Sequence, residues 1–169
     1  MKKKKKQIKK VKSKKVKTEK HQHDDEHECD VCSGKVNIDL WQEEMEKKYG
    51  WYIHFVFGDK SCPSGYNIHT HGLAKFKHPD IQICFPLAKE TASGILKTVA
   101  GNIKEGKKYF AGMRYSDVIT NYEVEIAEAE ESGRKVLRII FPDKNGNFQT
   151  YDGKPNKQYQ GCKFLPNIN

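Results

Sequence analysis

The residues that most constrain the fold are six apolar side chains that recur at three- and four-residue spacing: Ala92, Ile95, Leu96, Val99, Ala100 and Ile103. This spacing places them on one face of a helix that ends before Gly106. Because an apolar face is stable only when it is covered, the pattern predicts a helix packed against another layer of structure.

Six other segments have the apolar content and alternation of β-strands: 51–57, 66–71, 80–85, 122–129, 135–141 and 148–151. A second helix is predicted to begin at Asn37 or Asp39 and to stop at Gly50, with Leu40, Trp41, Met45 and Tyr49 roughly on one stripe. The stretch between residues 104 and 121 has no regular pattern. Short turns between the last strands favour antiparallel pairing, so we expect an α+β fold with a mostly antiparallel sheet packed by one or two helices.

The charge of the chain is concentrated at its beginning. Twelve of the 31 basic residues and one of the 22 acidic residues lie in residues 1–20, so this segment carries +11 and the remainder −2. Its low apolar content predicts a disordered Lys-rich tail. We expect residues 21–36, which are rich in His, Cys and acidic residues, to be a linker, and residues 37–169 to form the globular domain.

No apolar run approaches the roughly 20 residues that span a bilayer, and no apolar signal-peptide core follows the lysines. These features predict a soluble, cytoplasmic protein. The five cysteines are an odd number, which in this context favours free thiols or a metal site over a disulfide framework. Gly94, Gly101 and Gly106, in or just after the helix at 92–103, lack the spacing of a phosphate-binding loop, so no nucleotide cofactor is expected.

From the first strand onward the chain resembles the bacterial domain-of-unknown-function family 4262. The matching segments follow one another in the family's order: Gly50-Trp51, Pro63 to Gly65, Thr70 with Gly72-Leu73, His78-Pro79-Asp80, Phe85-Pro86, the helix at 92–103, and Phe141 to Phe148. The resemblance covers about two thirds of the chain and implies a fold without a named activity. A weaker similarity to domains related to suppressor of fused implies a protein-binding module, and hence a protein partner.

The sequence departs from the family pattern at two positions of the second strand. Where the common pattern has Tyr-Thr-Val-Gly-Leu, this chain has His69-Thr70-His71-Gly72-Leu73. Residues two apart on a strand point to the same face, so His69 and His71 could present two imidazoles to one metal ion. His78 or His54 could supply a third nitrogen. Equally, His78 could satisfy backbone groups in its turn, and paired strand histidines could hydrogen-bond across a sheet.

A second possible metal site is Cys29-x-x-Cys32, which follows His23 and His27. One such pair is a weak zinc signal, because structural sites need four ligands. The nearby histidines could complete a local Cys₂His₂ set, or the tract could remain flexible and bind metal only weakly.

Taken together, the residues favour a binding or regulatory module that holds Zn²⁺ or another transition metal, and lean away from an enzyme. One alternative is a metal-dependent hydrolase that uses His69 and His71, with Asp59 or Asp80 as base. A second alternative is a nucleic-acid-associated protein. The lysines from Lys2 to Lys20 would attract polyanions weakly and without sequence preference, since no aromatic residue interleaves with them.

Overall fold

The computed structural model describes residues 37–60, 62–148 and 157–162. The helices and strands of the described residues lie in one compact unit, Ile38–Asn169. In chain order these are α1 (Ile38–Tyr49), β1 (Tyr52–Phe57), β2 (Tyr66–His71), a 3-10 turn (Leu73–Phe76), β3 (Asp80–Ile83), α2 (Lys89–Lys104), β4 (Arg114–Ile119), β5 (Tyr122–Glu131), β6 (Arg134–Ile140) and a second 3-10 turn (Lys157–Tyr159).

The six strands form one sheet in the order β1-β2-β3-β6-β5-β4. Neighbours pair antiparallel except β3 and β6, which are parallel. The fold is therefore α+β with a mixed sheet, and the expectation of a mostly antiparallel sheet is corrected. Short turns predict only how consecutive strands pair. The β3–β6 pairing joins strands separated by α2 and by the β4–β5 hairpin, and no local pattern specifies it.

Helix α2 covers one face of this sheet. Its buried residues are the six predicted from the three- and four-residue spacing. They pack against branched side chains of the central strands, among them Ile68, Ile83 and Ile139. Burying a side chain of this kind contributes about 1.5–3 kcal/mol. Packing of α2 therefore stabilises the fold on this face of the sheet, and α2 does not cover the opposite face.

The opposite face divides into two parts. Over β5 and β6, Tyr159 and Phe148 pack on Ala127 and Ile140 in a second apolar cluster. Over β1, β2 and β3, the same face carries His54, His69, Gln82 and their polar neighbours, because His54 pairs with His69 and His69 with Gln82 in the strand register. The polar part is where the predicted histidines lie.

Three further predictions concern α1, the stretch at 104–121 and the strand at 148–151. α1 forms where predicted but buries none of its residues, and Trp41 contacts Tyr52 edge-on. The stretch predicted to be irregular contains β4, whose register shifts between Tyr115 and Ile119. The predicted strand at 148–151 lies almost wholly outside the described residues.

Cys62 and Cys84 are joined by a disulfide, so the expectation of free thiols is wrong for these two cysteines. Cys62 lies in the loop before β2 and Cys84 directly after β3. Because β2 and β3 are antiparallel neighbours, the beginning of one and the end of the other meet at the same end of the sheet. Cys162 is a free, half-buried thiol.

Candidate metal centre

Three histidines converge on the polar half of the sheet. His54 on β1 stands directly opposite His69 on β2, and His71 follows two residues later on the same face. One ring nitrogen from each lies within 4.8 Å of the other two. The structure therefore brings together the predicted pair, and the third imidazole is that of His54.

The three imidazoles differ in exposure. His69 is 1 % exposed, His71 is half-buried and His54 is exposed. The ring of Tyr52 stacks on His71, with centroids 4.9 Å apart and planes inclined by 17°. The cluster is thus closed beneath His69 and open to solvent on the side of His54.

A row of amides fixes the orientation of His69. Arg138, which can only donate, gives its Nε hydrogen to Gln82 Oε1 at 2.8 Å, and Gln82 Nε2 donates to Asn67 Oδ1 at 2.9 Å. At the other end, Asn67 Nδ2 donates to Asp59 Oδ2 at 2.6 Å. The arginine and the carboxylate together determine which way each amide faces.

Asn67 Oδ1 therefore faces His69 Nδ1, at 2.9 Å, as an acceptor. The proton of neutral His69 must lie on Nδ1, and the lone pair of Nε2 is left for the cluster. That lone pair faces His71 Nε2 at 3.0 Å, so in the metal-free molecule His71 donates to His69. A metal-binding histidine needs this arrangement: one nitrogen held by a hydrogen bond and the other free to coordinate.

Charged side chains from the β5–β6 hairpin complete the site. β6 begins two residues before its pairing with Asp80, so the hairpin end extends past β3 toward β2. Glu131 Oε1 lies 3.9 Å from His69 Nε2. Ser132 and Arg134 hold this carboxylate by hydrogen bonds of 2.8 and 2.7 Å.

Arg134 also donates to Asp80 Oδ2 at 2.6 Å. It therefore links two carboxylates beside the histidines. Its remaining nitrogen, Nη2, is buried and is the one buried side-chain nitrogen or oxygen atom in the described part of the chain that has no hydrogen-bond partner.

His69 and His71 are held in their neutral form. Burial lowers the pKa of His69 to about 3, against an opposing effect of Glu131. Burial also lowers the pKa of His71, and the nearby positive charge of Arg134 adds to the effect. For Glu131, burial raises the pKa, but hydrogen bonding to Ser132 and the charge and hydrogen bonds of its neighbours leave it below its usual range. Neutral imidazoles beside an ionised carboxylate are suited to binding a cation.

His78 does not join this cluster. It is buried, its Nδ1 donates to Pro79 O at 2.7 Å, and its Nε2 accepts from Tyr109 N at 3.0 Å. Burial lowers the pKa of His78 as well. Both ring nitrogens hydrogen-bond to backbone groups. His78 therefore follows the alternative in which it satisfies the backbone of its turn.

The other predicted ligands lie outside the described residues, and the two predicted bases, Asp80 and Asp59, have other contacts. Cys29, Cys32, His23 and His27 fall in the segment that the structure does not describe, as does the Lys-rich tail, so their roles stay predictions. Asp80 Oδ1 accepts from the Thr70 hydroxyl and from the backbone N–H of Leu73, both at 3.1 Å. Asp59 acts on the cluster through Asn67.

Sequence reasoning missed five residues of the site: Asn67, Gln82, Glu131, Arg134 and Arg138. Two of them carried a signal. Gln82 and Arg138 interrupt apolar strands, and both are nearly fully buried. A polar or charged side chain within such a strand needs partners, because an unpaired buried charge is costly.

Gly72 closes the strand directly after His71. It has a φ of +102°, and a Cβ there would lie 2.6 Å from Gly50 O. Only glycine fits this close approach, so the Gly-Leu pair of the family pattern holds the end of β2 against the chain that enters β1.

Comparison with known families gives one match. The model described as "Domain of unknown function (DUF4262)" matches residues 46–154, which include all three histidines of the cluster and the residues that orient them. No curated protein and no solved structure matches the chain. Among the described residues, no helix has the length and apolar character needed to cross a membrane.

Proposed function

The chain belongs to the family of this domain of unknown function (DUF4262), and we propose that the domain binds a divalent transition metal, Zn²⁺ in the first instance, through His54, His69 and His71. The observation that carries the proposal is the fixed tautomer of His69. Its Nδ1 proton is committed to Asn67, and its Nε2 lone pair faces the other imidazoles.

The distances are compatible with a metal after small side-chain movements. Three nitrogens about 2.0–2.1 Å from a tetrahedral Zn²⁺ stand about 3.3 Å from one another. His69 and His71 are already 3.0 Å apart, and all three nitrogens lie within 4.8 Å. The adjustment falls mainly on His54, because its side chain is exposed while His69 is buried. For His71 to bind the metal through Nε2, the proton that it donates to His69 would have to move to its own Nδ1, so that the imidazole stays neutral.

The side chains around the cluster favour a binding or regulatory role over catalysis. Glu131, the carboxylate facing His69, is tied to Ser132 and Arg134 and has a lowered pKa. A general base is most effective with a pKa near the working pH, so a carboxylate held this way is a weak one.

Metal analysis of the purified full chain tests the proposal. We expect about one tightly bound metal ion from the histidine cluster. His54→Ala should lower metal affinity without loss of folding, because the side chain is exposed. Ser116→Ala, at an exposed position of the opposite edge strand, is the matched control. Unchanged metal affinity in both His54→Ala and a His69→Ala/His71→Ala double variant would exclude this centre.

The Cys29-x-x-Cys32 site is tested in the same series. A Cys29→Ser/Cys32→Ser variant should keep the metal of the histidine cluster. If this variant loses all metal, the linker is the binding site and the histidine proposal fails.

A hydrolase is the second candidate, and the 3.9 Å approach of Glu131 to His69 favours it. Three protein ligands leave a position for water, which Zn²⁺ acidifies. The test is turnover of an activated ester, such as 4-nitrophenyl acetate, by the zinc-loaded chain. Activity above that of free Zn²⁺ that is lost in Glu131→Gln would support an enzyme, and equal rates would exclude one for this substrate class.

A further inference from the structure

We propose that the metal centre binds a small carboxylate at its open coordination position, with Arg134 Nη2 as the hydrogen-bond donor to that ligand. This inference rests on the proposed metal binding. It names the chemical class of ligand that the loaded centre takes.

The first argument is the unused donor. Two nitrogens of Arg134 are committed, Nε to Glu131 and Nη1 to Asp80, while Nη2 is buried without an acceptor among the described residues. A buried N–H without a partner is unfavourable, and most such groups in folded proteins are satisfied by protein, water or ligand. An arginine supplying one N–H to a carboxylate oxygen forms a charge-assisted hydrogen bond.

The second argument is position. Glu131 bridges the guanidinium and the cluster, with one oxygen 2.7 Å from Arg134 Nε and the other 3.9 Å from His69 Nε2. A single carboxylate therefore links the guanidinium to the cluster. An oxygen bound to a metal in this cluster is an acceptor that the loaded centre could bring to Arg134.

The third argument is charge. With the imidazoles unprotonated, as metal binding requires, the formal charges of Arg134, Asp80 and Glu131 sum to −1, which favours a cation. A divalent ion changes the sum to +1, which favours one monovalent anion. Because the site is partly desolvated, this change in sign acts more strongly than it would in bulk water.

The fourth argument is access. The cluster is open on the side of His54, and the half-buried His71 is flanked by the ring of Tyr52. A small ligand can enter on this side, while Asn67 and Gln82 close the opposite side. Three protein nitrogens leave one tetrahedral position for its oxygen.

Cobalt is the probe for the test, since Co²⁺ replaces Zn²⁺ in such sites and its visible spectrum reports the coordination. The full chain is loaded with Co²⁺ and titrated with acetate, and separately with acetamide, which has nearly the same shape and no charge. We expect acetate to shift the visible bands and acetamide to leave them unchanged. Equal shifts with both probes, or none with acetate, would overturn the inference.

Arg134→Lys keeps the positive charge and removes the guanidinium. The variant and the unmutated chain are compared at saturating Co²⁺, so that a change in metal affinity does not enter the comparison, and we expect Arg134→Lys to bind acetate at least about ten-fold more weakly. Arg114→Lys is the matched control, because Arg114 also contacts one carboxylate, Glu125, through Nε but lies on the edge strand β4. Unchanged acetate affinity in Arg134→Lys would overturn the role of Arg134.

The cobalt spectrum separates the two proposals. If the unmutated chain binds no Co²⁺, the proposed metal centre fails and the carboxylate site fails with it. If Co²⁺ binds and acetate does not, only the carboxylate site fails. Should Arg134→Lys not fold, as judged by circular dichroism, the acetate and acetamide titrations of the unmutated chain decide the result.

Discussion

His69 and His78 are both buried histidines with lowered pKa values, and they differ in what their ring nitrogens contact. His78 bonds to two backbone groups, Pro79 O and Tyr109 N. His69 bonds on one side to an amide that is itself held in place, and on the other side to a second imidazole. Burial and pKa alone do not distinguish a structural histidine from a ligand. The hydrogen-bond partners of the two ring nitrogens do distinguish them.

Substitution of His69 and substitution of His78 should differ most in their effect on metal affinity. We expect His69→Ala to weaken Zn²⁺ binding by at least about 10³-fold, because one of three nitrogen ligands is lost together with its fixed lone pair. His78→Ala should change the affinity by less than about ten-fold. Competition with a chromophoric chelator measures both. Equal losses in the two variants would remove the distinction between a ligand and a structural histidine.

In the absence of metal, the free energy of unfolding should be lowered more by His78→Ala than by His69→Ala. His78→Ala leaves the buried Tyr109 N–H without its partner, and we expect the free energy of unfolding to fall by about 2–4 kcal/mol. Urea titration followed by circular dichroism measures this loss. If the stability of His78→Ala equals that of the unmutated chain, His78 does not connect its turn to the segment before β4.

Loss of the amide that orients His69 should lower metal affinity less than loss of a ligand does, but by a measurable amount. Asn67→Ala removes the acceptor for His69 Nδ1, and residues that orient a ligand typically affect metal affinity by about 10–100-fold. Asn102→Ala, which removes an amide bonded to Tyr109 and Asp117 at the other side of the sheet, is the control. An affinity unchanged in Asn67→Ala would show that the tautomer of His69 is not fixed by this amide.

The smallest effect is in the pH dependence of the metal-free fold. The pKa values of His69, His71 and His78 are all lowered in the folded state, so the unfolded chain binds more protons once the pH falls below about 6.5. Stability is therefore complete above pH 6.5 and decreases as the pH falls from 6.5 toward 5. Each imidazole contributes up to about 1.4 kcal/mol per pH unit.

Urea titrations at several pH values between 7.5 and 5 measure this slope. His69→Ala should reduce the slope by the share of one imidazole. A free energy of unfolding that is constant between pH 7 and 5 would contradict the lowered pKa values.

The sequence predicts the parts of the molecule that depend on local spacing. The buried face of α2 follows from residues three and four apart, and the common face of His69 and His71 follows from residues two apart. The hairpin between β5 and β6 is similarly local, since Ser132 and Gly133 form its turn with positive φ values.

The remaining parts depend on contacts between distant segments. His54 reaches the cluster through the register of β1 and β2, and Glu131 and Arg134 reach it because β6 pairs parallel with β3. The Cys62–Cys84 disulfide has the same origin. Alternation along a strand gives the face of a residue, but it does not give the neighbour across the sheet.

X-ray absorption spectroscopy of the zinc-loaded full chain tests the central claim most directly. We predict a first shell of nitrogen and oxygen atoms at about 2.0–2.1 Å, with the outer-shell scattering of imidazole rings and no sulfur. This shell should be unchanged in the Cys29→Ser/Cys32→Ser variant. Sulfur scattering at about 2.3 Å that disappears in that variant would place the metal on the cysteines and contradict a centre built from His54, His69 and His71.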